Sequence, residues 1–484
     1  MTVLRDPADA PIDRREDGGP VSTGAPEAGG ASSAIPPEID GLPMPRRAIA
    51  ASAVILAVVI MTLDTAMIAV ALPAMARDLG LSAAASTWIV NSFLIVIVAT
   101  LLPLAALGEA IGYRKVYLAG LGLFLAGSVA CYLSSDFALL MMARLAQGLG
   151  AAGVMAVNGA LVRFIYPGPD LRKGISVNAM MAAISSAAGP AAAGLLLTMG
   201  GWRLLFGLEI PLTLLSLLLG LRTLPGQSGS VDRIDGRAAV LTALSMGLIG
   251  YGLTELVQPA IHWSAASSLA LGCGGIALLV RRLRNDPAPL LPLDLLRVTA
   301  LRLSYAASIC VFAAQMVAMI ALPFFLHAVH GYSATTIGTI LSAWPVGIAL
   351  GALVSARLKY PLSTIGLGGL TVFAAGMALL AAFAGLGGVA LLAAGAFVSG
   401  AGFGLFQTPN NSIMILASDV RRSGAAAGMQ GAARVTGQML GAALAALCLG
   451  LFGTGSVVPL WAALVLVMLA FAAANARLLA KRKG

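Results

Sequence analysis

The chain has 484 residues, of which 59% are hydrophobic and only 10% charged, with a mean hydropathy of +0.93. Soluble domains carry roughly 25% charged residues, so a soluble enzyme and a disordered protein are both excluded. The formal charge of +10 comes from Lys and Arg scattered between hydrophobic segments rather than clustered on one soluble face, so the bilayer explains the basicity and nucleic acid is not an expected partner.

In chain order, residues 1–47 place acids among Pro, Gly, Ala and Ser without the apolar core of a signal peptide, and are expected to form a disordered cytoplasmic tail. From residue 48 onward apolar runs recur, each of about 20 residues and long enough to cross a ~30 Å hydrocarbon core as a helix. Six of them, at 48–74, 86–107, 115–134, 137–161, 175–199 and 203–221, make an N-terminal bundle over residues 48–222. Two more, at 237–256 and 264–281, lie in an insert with cytoplasmic linkers over 223–300. The last six, at 302–327, 334–356, 362–383, 386–409, 424–451 and 456–477, make a C-terminal bundle over 301–478, followed by a basic cytoplasmic tail at 479–484. The reading is an all-α integral membrane protein with fourteen spans, since runs such as 212–220 lack the alternation of a transmembrane barrel. With the N-terminus cytoplasmic, all but Arg77, Arg144, Arg203 and Arg434 of the 30 Lys and Arg fall on the cytoplasmic side, and both termini share that side.

The stretch Met67 to Pro73 is echoed by Met319 to Pro323, and one constant offset carries Gly150 onto Gly402, Asn158 onto Asn410 and Gly189 onto Gly441. Two parallel six-helix repeats follow, an arrangement that places a site between repeats and alternates access to it. Ionisable residues inside spans are costly and are expected to face a cavity or a partner. They are Asp64, Arg144, Glu209, Arg434 and, marginally, Glu255. At ~1.5 Å per residue, Asp64, Arg144 and Glu209 come to similar depth. Arg144 is therefore expected to neutralise one of the acids, either as a fixed structural pair or with one carboxylate exchanging a proton during a transport cycle. Arg434, nearer the membrane centre, is a candidate substrate contact with Asp64, Glu209, Gln315 and Asn410. His327 and His330 read as interfacial. Four isolated cysteines, no metal-ligand cluster and no nucleophile beside a base argue against an enzyme or a metal site. Gly-rich stretches follow no strand, so no nucleotide loop is present and the expected energy source is a proton gradient rather than a cofactor.

Four segments carry a family resemblance. They are Leu63-Asp64-Thr65 with Ala69 to Pro73 and Asp78-Leu79, then Arg144 to Ala151 including Gln147 and Gly148, then Gly189-Pro190 with Gly194, and Gly402 to Asn411. They resemble the major facilitator superfamily, specifically its fourteen-helix drug:proton antiporters. The resemblance implies a coupling role for Asp64, a link to proton transfer for Arg144 and an exporter-type motif at Gly189, Pro190 and Gly194. The loop carrying Glu109, Gly112, Arg114 and Lys115 lacks the Asp-Arg pair usual there, and Glu209 stands before Ile210-Pro211 where the family more often has Asn. The extra acid suits a cationic substrate or a second proton. The function implied is proton-coupled export of amphipathic, toxic compounds by a monomer in a bacterial cytoplasmic membrane. A metabolite uniporter or symporter, or a non-transporting receptor on the same fold, is the alternative.

Overall fold

The computed structural model describes residues 41–226, 235–256, 263–282, 293–417 and 423–483. Most of the expected N-terminal tail, and parts of both linkers of the insert, lie outside the described residues. The helices are α1 Arg46–Asp78, α2 Ala83–Ser86, α3 Trp88–Ile111, α4 Tyr113–Leu133, α5 Phe137–Ile165, α6 Gly168–Gly200, α7 Arg203–Thr223, α8 Gly236–Leu256, α9 Trp263–Arg282, α10 Thr299–His330, α11 Ala334–Arg357, α12 Leu362–Phe383, α13 Val389–Leu416, α14 Ser423–Phe452 and α15 Val458–Lys483. Counting α2 and α3 as one, fourteen are long and apolar enough to cross a membrane, and no strand occurs among the described residues.

Several helices outrun their apolar cores. The sixth begins at Gly168 rather than near 175 because Pro169 is tolerated in a first turn and Asp170 complements the positive end of the helix. Asp170 also accepts from Arg47 Nη1 at 3.0 Å, tying α6 to the start of α1. The last helix runs on to Lys483, where the sequence reading expects a separate tail from 479. Gly112, with φ of 101°, lets α3 reverse directly into α4. Asp136 caps α5: its carboxylate accepts the Leu139 N–H at 2.9 Å, a bond that holds this exposed acid below the usual carboxylate range.

In the first bundle α4 packs on α5 and α7, α3 on α5, and α1 on α6 and α7. In the second, α11 and α12 pack on α13, while α10 packs on α14 and α15. Two long seams join the bundles, α6 against α11 and α3 against α14, with a shorter contact of α1 on α10. The inserted α8 and α9 pack on each other, and α8 lies along α3 and reaches α14. The insert therefore braces one of the two seams.

The start of α1 and the end of α15 share one face of the bundle, the termini face, and at the opposite, far face the two halves are latched. There Arg77 Nη1 lies 3.1 Å from His327 Nε2, and Thr335 Oγ1 donates to the Gly194 carbonyl at 3.4 Å. These are the side-chain hydrogen bonds that cross between bundles among the described residues. Beside them Asp78 accepts from Trp202 Nε1 at 2.8 Å and Arg203 Nη1 at 3.0 Å, joining the end of α1 to the start of α7. Packing across the α6–α11 seam depends on missing side chains. A Cβ at Gly338 would overlap the Pro190 carbonyl, and one at Gly194 would sit 2.9 Å from the Ala334 carbonyl oxygen. Membrane helices gain little from hydrophobic exclusion, so such close backbone contact is what holds the seam. Gly338→Val is expected to destabilise this state by about 1–3 kcal/mol, the usual cost of overpacking, whereas Gly368→Val, where a Cβ meets open space, is expected to leave thermal unfolding in detergent unchanged.

Candidate functional site

The centre of the first bundle holds a chain of polar side chains with no exposure to speak of: Asp64 at 0%, Arg144 at 1%, Gln147 at 0% and Glu209 at 1%. Arg144 grips Asp64 with two nitrogens, Nη1 to Oδ1 at 2.6 Å and Nη2 to Oδ2 at 3.2 Å. Its Nε donates to the Ile89 carbonyl at 3.1 Å and its Nη1 also to Gln147 Oε1 at 2.6 Å. The guanidinium lies 4.2 Å from the Phe93 ring centroid and 5.9 Å from that of Phe206. Such bidentate, stacked geometry is specific to arginine.

Gln147 passes the contact onward. Its Nε2 donates to Glu209 Oε2 at 2.7 Å and to Ser128 Oγ at 2.8 Å, and Ser128 Oγ donates to the same Glu209 oxygen at 3.0 Å. The other carboxyl oxygen, Glu209 Oε1, is buried without a hydrogen-bond partner. One cation thus faces two carboxyl groups inside an apolar bundle. With both acids ionised, one negative charge is left uncompensated, a state that burial makes expensive. With one proton added, the cluster is neutral.

Local packing brings these groups together. A Cβ at Gly127 of α4 would lie 2.8 Å from Gln147 Cβ, and one at Gly148 of α5 would lie 2.8 Å from the Phe93 carbonyl oxygen. Both glycines thus allow the approach that sets Gln147 beside Glu209 and lays Phe93 on Arg144. Gln147 and Gly148, expected to act in conformational change, sit in the middle of the charge network.

The remaining expected residues fall elsewhere. Gly189, where a Cβ would lie 2.5 Å from Ala66 Cβ, packs α6 on α1 two residues from Asp64, while Pro190 and Gly194 meet α11 across the seam. At the termini face Arg114 Nη2 donates to the Leu221 carbonyl at 2.6 Å, closing the end of α7, and Gly112 makes the turn before it. Glu109 is exposed and forms no ion pair among the described residues. Gln315 is half-buried on α10.

Asn410 belongs to a second buried network that the sequence reading missed. Its amide nitrogen donates to the Ser304 carbonyl at 3.2 Å and to Ser308 Oγ at 3.0 Å. Arg477 Nη1 donates to Asn410 Oδ1 at 2.8 Å and to Ser304 Oγ at 2.6 Å. Arg477, counted from the sequence on the cytoplasmic side at the end of its span, is 6% exposed and binds α15 to α10 and α13. Ser128, Phe93 and Phe206 were missed as well. A hydroxyl following Gly127 inside an apolar run was the available signal for Ser128, and the rings carried none.

Comparison with known proteins follows the fold. Residues 54–284 and 304–483 match the family model described as Major Facilitator Superfamily. An uncharacterized transporter, YebQ of Escherichia coli, is 40% identical over 91% of this chain and 98% of its own length. The multidrug resistance protein Stp of Mycobacterium tuberculosis is 29% identical over 82% of this chain and 73% of its own. A crystal structure of a POT family transporter superposes with a TM-score of 0.69 at 14% identity, covering 90% of this chain and 96% of that one.

Removing one partner of a buried ion pair costs about 3–5 kcal/mol, so Arg144→Gln is expected to lower the thermal unfolding midpoint in detergent clearly. Glu209→Gln keeps an oxygen for Gln147 and Ser128 and removes the surplus charge, and its stability is expected to stay within about 1 kcal/mol of wild type. Arg477→Met, which strips a charged donor from Asn410 and Ser304, is expected to cost about 1–3 kcal/mol in the same measurement.

Proposed function

The chain belongs to the Major Facilitator Superfamily, and on that premise we propose that it is a proton-driven exporter of amphipathic small molecules working by alternating access. The observation that carries the reading is the buried set of two carboxyls and one guanidinium, in which Glu209 Oε1 is left without a partner. A proton on either acid neutralises the cluster, and its loss leaves a net charge in a medium that penalises charge. The protonated and deprotonated forms therefore favour different packings of α1, α5 and α7, the helices that hold Asp64, Arg144 with Gln147, and Glu209. Helix α1 also meets α6, α10 and α11, so a change of its position is felt at the seams between bundles.

The cycle has two ends. In the conformation described, the far face is latched through Arg77 with His327 and Gly194 with Thr335, so substrate enters from the termini face. The bias of Lys and Arg toward that face supports a cytoplasmic side there, and on this reading the protein works as a monomer in the cytoplasmic membrane of a bacterium with both termini inside. A proton arriving from outside reaches the cluster after the halves rock, and its delivery to the cytoplasm is exchanged for substrate moving out. The multidrug resistance relative favours toxic amphipathic compounds over a nutrient as cargo. No ATP-binding motif is present in the sequence, so the proton gradient supplies the energy.

Proton release on ligand binding tests this reading. Purified wild type in weakly buffered detergent, titrated with amphiphiles of both charge signs, is expected to acidify the medium when a compound binds. Asp64→Asn or Glu209→Gln is expected to abolish the signal while binding persists. Binding without release, for every compound that binds, would overturn proton exchange and leave a uniporter.

A further inference from the structure

One intramembrane cation is unused by this mechanism. Arg434 stands about 17 Å along α14 from its first residue, at ~1.5 Å per residue. Its Nε is buried without a hydrogen-bond partner, and its guanidinium forms no ion pair or hydrogen bond among the described residues. Among the described residues its own bundle offers no counter-ion. From residue 293 to the end the sequence has two acids, Asp294 ahead of α10 and Asp419 outside the described residues. Across the seam, Asp64 and Glu209 are turned inward to Arg144 and Gln147.

The packing of α14 shows where Arg434 points. Gly428 and Gly431 face Leu102 and Leu101 of α3, whereas Gly437 and Gly441 face Ile309 and Ala313 of α10. At 3.6 residues per turn, Arg434 falls in the arc between those two contacts, toward the space enclosed where α3 and α10 flank α14. Gln438, one turn further, shares that arc, and both residues are half-buried, while Ala445, further along the same arc toward the far face, is fully buried. The arc is therefore a cleft between the bundles, partly accessible at Arg434 and Gln438 and closed at Ala445 toward the latched far face.

We propose that Arg434 and Gln438 form the anion subsite of this cleft, so that the cargo is an amphiphile bearing a carboxylate, sulfonate or phosphate group on an apolar body. The inference rests on the export reading above and specifies its substrate class. A guanidinium with no protein counter-ion inside a membrane is costly, and an acidic cargo supplies the missing charge with two parallel hydrogen bonds, to which the Gln438 amide adds a donor. The helices that flank it are apolar where they meet α14, as the body of such a cargo requires: Leu101 and Leu102 on α3, Ile309 and Phe312 on α10. The subsite lies on the opposite side of the seam from the proton cluster, so cargo and proton occupy different bundles and communicate through the rocking of one against the other.

The test uses the full chain in phosphatidylcholine nanodiscs and a matched fluorescent pair, pyrenebutyrate and pyrenebutylammonium, which differ in the charged end alone, with empty nanodiscs subtracted. Wild type is expected to bind the carboxylate at least about tenfold more tightly than Arg434→Gln does, the loss of one charge-assisted contact. Arg434→Lys is expected to recover part of that affinity, and the ammonium probe to bind Arg434→Gln no worse than wild type. Equal carboxylate affinity in wild type and Arg434→Gln, with both eluting as folded monodisperse species, would overturn the subsite, as would preference of wild type for the ammonium. A second set of nanodiscs containing phosphatidylglycerol reads the lipid: displacement of pyrenebutyrate there, in wild type only, assigns the subsite to headgroups and overturns the cargo reading. The two proposals fail separately. Carboxylate binding through Arg434 without proton release leaves the subsite standing and removes antiport, whereas proton release with an unaltered Arg434→Gln affinity does the reverse.

Discussion

The architecture turns on one guanidinium shared between two acids in a medium that solvates neither sign. Arg144 can be tolerated inside the first bundle because Asp64 meets it with two hydrogen bonds, the Ile89 carbonyl takes its Nε, and Phe93 covers its face. Those partners come from α1 and α3, so the pair holds α1, α3 and α5 in one arrangement. Glu209 is then the surplus group. Gln147 links it to the pair, and α7 is joined to the network by that amide and by Ser128. A surplus charge that can be cancelled by one proton gives the bundle two electrostatic states with different preferred packings, which is what coupling to a gradient requires.

The two bundles use polar groups differently. The first concentrates its charge at the centre, where α1, α3, α5 and α7 meet. The second ties Arg477, Asn410, Ser304 and Ser308 together near the inner ends of α10, α13 and α15, a neutral-acceptor network with no acid to titrate. Such a network holds its bundle in one arrangement rather than in two. The asymmetry fits a rigid half rocking against a half whose interior changes charge. The inserted pair α8 and α9 is not a lipid-facing ornament either, since α8 runs along α3 and Gly250 approaches Met439 of α14. It supports one seam, while the other, α6 on α11, relies on bare glycine contact.

Much of the fold was legible because the bilayer imposes it. Apolar length, the distribution of Lys and Arg and the echo of Met67 to Pro73 in Met319 to Pro323 are one-dimensional signals, and apolar length led to the fourteen candidate spans of the structure. Helix ends were read less well. α6 and α15 absorb charged residues because a helix can project beyond the hydrocarbon, where charge carries no penalty. The candidate site was legible to the extent that intramembrane charge is rare: Asp64, Arg144 and Glu209 stand out against apolar neighbours. Ser128 and the rings of Phe93 and Phe206 did not, since serine and phenylalanine are ordinary in such helices.

By itself the sequence determined that this chain spans a membrane fourteen times, that it is built from two repeated halves and that three ionisable groups share a depth. Those properties follow from composition and spacing, which lipid reads one helix at a time. Tertiary structure alone decided which acid Arg144 holds, that Gln147 links it to the other, that Asn410 is bound to Arg477 and that Arg434 has no partner among the described residues. Each of these depends on how far helices rotate about their axes and how closely glycines let them approach. Rotation and approach are properties of contacts between segments distant in the chain, and no spacing within a single helix encodes them.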